Sequence, residues 1–171
     1  NRGTKWFTSA VFKRKSDSKV FALINTHLWW KSDKVMPGST MARAAQVRLM
    51  MAEAEIIAAK FGAIPILVTG DMNCEENTVP IQQFISAGYV PCYKAATTYG
   101  DNNNGHHICS PKDGYSPKSR RKGPDRETGA IDHCLILDPA KQSEIKVFDC
   151  IMEEYTVKLT DHYPLLIDIR L

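Results

Sequence analysis

The sequence predicts a layered α/β protein. Three observations carry this reading: two nearly continuous apolar runs at 20–24 and 64–69, a long helix-forming stretch between them, and three strand-like segments that close the chain. Short apolar runs bounded by turn signals read as strands buried on both faces. Strands joined by a helical crossover belong to sheets that carry helices on a face. One sheet with helices on one face leaves its other face bare. The 171 residues are expected to be too few to cover it, so the expectation is one domain, or a large piece of one, with a missing second layer.

Taken in order, residues 6–12 read as a strand, 16–18 as a turn and 20–25 as a second strand, together an antiparallel hairpin. Residues 26–39 are a loop holding Trp29, Trp30 and Pro37-Gly38. Ser39 or Thr40 is expected to cap a helix over 41–61, where Val47, Met50, Ala54 and Ile57 share one stripe and Gly62 stands just past the end. A buried strand follows at 64–69, then a shorter helix over 79–87 with Thr78 as its cap and Gly88 as its stop. Residues 99–129 differ: Asn102-Asn103-Asn104, five glycines and many charges predict a long loop or inserted arm from about 100 to 129. Strands at 130–137, 144–152 and 164–171 complete the chain.

Composition excludes little. A net charge of +3 permits an anionic substrate without requiring one. The five cysteines show no zinc spacing, and their odd number favours free thiols over a disulfide framework. No apolar run approaches the ~18 residues of a membrane span.

The chemistry is expected where polar clusters interrupt apolar strand ends, because rigid strands position such groups while loops leave access. There are four: Asn25-Thr26-His27-Leu28, Gly70-Asp71-Met72-Asn73, Ile131-Asp132-His133 and Thr160-Asp161-His162. Singly each is a weak signal, since an Asp-x-Asn after glycine is usually a turn and a lone histidine is usually structural. Their order and shared position at strand ends are far more specific.

Together they resemble the C-terminal motif set of the endonuclease/exonuclease/phosphatase (DNase-I-like) superfamily, and Arg43 and Gln46 resemble that family's Arg-x-x-Gln. The resemblance covers residues from about 6 to 171 and is weakest over 100–128. It implies one half of a four-layer α/β sandwich, with a mixed, mostly antiparallel sheet and helices on one face, and a hydrolase of phosphoester bonds in nucleic acids, phospholipid headgroups or small phosphodiesters. It implies catalytic roles for five residues. His162 would bind the phosphate or assist the attacking water, and Asp132 would orient it. Asp71 would orient or deprotonate the water, and Asn73 and His27 would hold phosphate oxygens. Asp161 would ligate Mg²⁺ or Mn²⁺, one ion or two.

The family also carries an Asn and a metal-binding Glu in an N-terminal half, for which this chain has no equivalent; Glu53, Glu55, Glu75 and Glu76 do not replace them. The chain alone is therefore expected to be nearly inactive, and to pair with its own N-terminal half or a second copy over the bare sheet face. Substrate contacts are expected from Arg43, from Trp29 by stacking, and from Arg120 and Arg121 in a basic cluster that also holds Lys112, Lys118, Lys122 and Arg126. A second reading, from another class, is a catalytically silent interaction module that keeps the sandwich half; the intact six polar residues weigh against it.

Overall fold

The computed structural model describes residues 5–100, 130–151 and 162–171. β1 (Phe7–Lys13) and β2 (Val20–His27) form the expected antiparallel hairpin, with Ser18 in the left-handed region at its turn. α1 (Ser39–Phe61) then crosses over and returns the chain to β3 (Ile66–Asp71), which pairs parallel with β2. α2 (Val79–Ser86) leads to β4 (Val90–Pro91), a four-residue α3 (Cys92–Ala95) and β5 (Thr98–Tyr99). β6 (Asp132–Leu137), β7 (Glu144–Cys150) and β8 (Leu165–Arg170) follow. The two-residue strands and α3 lie below the length at which periodicity shows in a sequence.

The strands make two mixed sheets, ordered β1-β2-β3-β6-β4 and β5-β7-β8. In the larger sheet, alternation sorts the side chains cleanly. Ala22, Ile24, Ile66, Val68 and Leu135 pack with Val47, Met50, Ala54 and Ile57 of α1 and with Ile81 and Phe84 of α2. Burying a side chain such as Phe84 or Ile24, both fully enclosed, contributes roughly 2 kcal/mol. The opposite face turns Leu67, Cys134 and Ile136 toward Cys92, Tyr93, Ile145 and Phe148.

This second cluster corrects the expectation of a bare face. The chain supplies its own second layer, because the last two strands leave the first sheet and fold over it, with Leu165, Ile167 and Ile169 half-buried against the same cluster. Sequence spacing could not show this, since β6 and β7 read alike but enter different sheets. The layer is a partial one: β8 has a hydrogen-bonded neighbour, β7, on one side and none on the other among the described residues.

The helix starts also differ from expectation. Neither Ser39 nor Thr78 caps its helix through a side-chain bond. Asp33, six residues before α1, accepts from the Gly38 and Thr40 amides and from the Thr40 hydroxyl. A carboxylate folded back from the loop thus satisfies the free amides and the positive end of the helix.

Candidate functional site

Three strand ends lie side by side in the larger sheet. The parallel β2–β3 register sets His27 beside Asp71, and the antiparallel β3–β6 register sets Asp132 on the other side of Asp71. Because side chains alternate, all three fall on the face of Leu23, Leu67 and Cys134, toward the second layer. Gly70 makes this row possible. Its φ is +131°, and a Cβ there would stand 1.9 Å from the Thr26 carbonyl oxygen, so no other residue allows β3 to approach β2 so closely just before Asp71.

His27, Asp71, Asn73, Asp132 and His162 line one cleft of about 430 Å³. His162 sits just before β8 and reaches across from the second sheet: its Nδ1 lies 2.7 Å from Asp132 Oδ2, and its Nε2 4.0 Å from Asp71 Oδ2. His27 Nε2 lies 3.4 Å from the same Asp71 oxygen. Asp71 is thus flanked by two imidazoles and a second carboxylate. Burial pushes its carboxyl up from the usual range, and Asp132 adds to this, while the bonded Asn73 amide, His162 and His27 pull it back; the balance is upward. Asn73 has a positive φ of 50°, which lets its backbone N–H close on Asp71 Oδ1 at 2.8 Å while its side-chain amide donates to the Leu28 carbonyl at 3.1 Å. Asn73 therefore ties the β2 and β3 exits together at the wall of the cleft.

Other sequence-derived residues lie elsewhere. Arg43 is buried under the loop after His27, donating to the Trp29 and Lys31 carbonyls and to Thr40 Oγ1. With those donors turned to the loop, it is not among the cleft-lining residues. Trp29 is half-buried, its backbone N–H on Gln46 and its indole N–H on Ser39, so it is anchored rather than presented. His133, next to Asp132, points to the helix side and bonds the Cys74 carbonyl at 2.8 Å. Asp161, Arg120 and Arg121 lie outside the described residues. One polar pair went unread in the sequence: Thr69 Oγ1 donates to Asn25 Oδ1 at 2.9 Å, one alternation step behind Asp71 and His27 on the same face. Counting back by two from the site residues would have found it.

Asp71, Asp132 and His162 offer ligand atoms within 4.8 Å of one another. Their carboxylate oxygens suit a hard divalent cation. The His162–Asp132 contact equally suits an oriented imidazole.

No protein-family model and no curated protein matches the sequence. Its structure does have solved counterparts. An endonuclease/exonuclease/phosphatase from Bacteroides vulgatus superposes with a TM-score of 0.70 at 23% identity, covering 98% of this chain and 56% of that one. A mannosyl-6-phosphatase of Bacteroides thetaiotaomicron does so with a TM-score of 0.70 at 18% identity, covering 98% and 57%. The human Nocturnin catalytic domain, solved with a bound sulfate, gives 0.62 at 19%, covering 97% and 53%. The chain has the α/β sandwich fold of endonuclease/exonuclease/phosphatase family proteins and spans a little over half the length of these counterparts.

Proposed function

We propose that this chain is the C-terminal half of a divalent-metal-dependent hydrolase of phosphoester bonds, complete when an N-terminal half joins it. The observation that carries the reading is the row His27–Asp71–Asp132 on three adjacent strand ends, closed by His162 from the second sheet. A phosphoryl group seated there meets imidazole donors from two sides and a carboxylate between them.

In this reading Asp71 takes the proton of a water as its oxygen bonds to phosphorus, and the bond from phosphorus to the leaving oxygen breaks. The raised Asp71 pKa makes it a better proton acceptor than an exposed aspartate. His162, held in one orientation through Nδ1 by Asp132, directs Nε2 at the phosphoryl oxygens and stabilises their growing charge; His27 does the same from the β2 side. Asp161, with carboxylate oxygens of the Asp71–Asp132 group, would hold Mg²⁺ or Mn²⁺, which supplies Lewis-acid polarisation and a more acidic water. Nucleic acid, phospholipid headgroup and small phosphodiester all present the phosphoryl group this cleft fits. The half-covered second layer supports the proposed N-terminal partner, because among the described residues β8 has no neighbour beyond β7 and Leu166 is exposed.

The test is hydrolysis of an aryl phosphodiester and an aryl phosphomonoester by the full-length protein, with Mg²⁺ and with chelator. Activity is expected to need the ion and to fall about 10³-fold in Asp132→Asn. The chain alone is expected to be nearly inactive. Chelator-resistant activity, or an Asp132→Asn variant as fast as wild type, sinks the proposal.

A further inference from the structure

Helix α1 carries two apolar seams. Val47, Met50, Ala54 and Ile57 are buried against the sheet. Two residues earlier or later along a helix is about 200° around it, and there a second set runs: Ala45, Leu49, Ala52, Ile56 and Ala59. Its spacing of 4, 3, 4 and 3 residues is that of a two-helix seam. This set faces outward. Leu49 and Ile56 are 62% and 63% exposed, and Ala52 and Ala59 are exposed with them. The outer face of a helix that already buries one stripe is ordinarily polar, so large aliphatic groups at this spacing call for an occupant.

We infer that the occupant is α1 of a second copy, packed antiparallel across this seam. Three features select it. First, large and small residues alternate, so antiparallel pairing sets Leu49 against Ala52 of the second copy and Ile56 against its Ala45. A two-fold axis repeats both layers, as a closed isologous contact requires. Second, alanine at every other seam position lets the two helix axes approach closely. Third, the flanking charges are complementary in this arrangement. Arg48 precedes Leu49 and Glu55 precedes Ile56 on the same flank. Antiparallel packing brings Arg48 near Glu55 of the second copy twice. The seam from Ala45 to Ala59 rises about 21 Å, which places the contact among the smaller interfaces and makes the dimer a dissociable one. The contact lies on the opposite side of the larger sheet from the cleft, and the inference does not depend on the phosphoester reading.

Sedimentation velocity of the full-length protein over a roughly hundredfold concentration range tests it. Wild type is expected to shift from monomer to dimer. Leu49→Lys should abolish the shift, and Arg48→Glu should raise the dissociation constant about tenfold. Adding Glu55→Arg to Arg48→Glu should restore it. Leu166→Lys, on the β8 edge region, should leave it unchanged. All these side chains are solvent-facing, so circular dichroism melting should confirm folded variants. A protein monomeric at every concentration overturns the inference. So does a dimer that survives Leu49→Lys, one dissolved by Leu166→Lys, or a charge swap that fails to restore association.

Discussion

β3 and β8 both lead to the cleft, and they are held very differently. β3 has β2 on one side and β6 on the other, α1 and α2 behind it, and Leu67 packed into the second layer. β8 has β7 alone beside it among the described residues, and its side chains alternate between half-buried and exposed. The row of acids and His27 therefore stands on a sheet whose geometry is over-determined. His162 arrives from the lesser sheet and is placed in part by its bond to Asp132. A site assembled this way divides its labour: one sheet fixes the acids and His27, and the other brings His162 to them.

Five substitutions probe that contrast. The largest effect is expected from Gly70→Ala, where the added Cβ meets the Thr26 carbonyl and the backbone conformation is one that alanine avoids. A loss of about 5 kcal/mol in urea unfolding is expected, and a loss under 1 kcal/mol would show the β2–β3 approach to be slack. Next come Phe84→Ala and Phe148→Ala, each emptying a fully enclosed position, one in each cluster. About 4 kcal/mol is expected for Phe84 and about 3 for Phe148, because a partial layer collapses more easily around a void. Equal costs would mean that the second layer is as rigid as the first.

Asp71→Asn sharpens the comparison from the side of charge. The Asp71 pKa is raised above its ordinary 3.8, so the folded state favours the protonated carboxyl. That contribution to stability is fully present below the ordinary value and is lost as pH rises through the folded one. At neutral pH the ionised group costs stability, and the amide should be the more stable variant there. The gap should close as the pH is lowered toward 3.8. Thermal melts at a series of pH values check both signs, and a variant less stable at neutral pH would contradict the balance drawn here. The smallest effect is expected from Ser9→Ala, which removes an exposed bond between β1 and Glu53 of α1. It should change stability by no more than about 0.5 kcal/mol in the same assay.

Much of this was legible in the residues. The crossover unit could be read because 20–24 and 64–69 are apolar runs too short for helices and α1 is too long for a strand. The five cleft residues could be read because each interrupts such a run at its end. What escaped was decided by contacts distant in sequence. β6 and β7 have similar composition, yet β6 joins β3 and β7 turns away to build the second layer. Arg43 was expected to contact substrate, but it donates instead to the Trp29 and Lys31 carbonyls of the loop after His27. Asp33 begins α1 from a distance that no local capping pattern contains.

The order of the elements also sets a timetable. β1, β2, α1 and β3 are consecutive, and His27, Asp71 and Asn73 all lie within them or two residues beyond. A ribosome would release this unit before β6, β7 and β8. Half of the cleft could thus exist before Asp132 had been translated, leaving the remaining strands to dock onto a finished template.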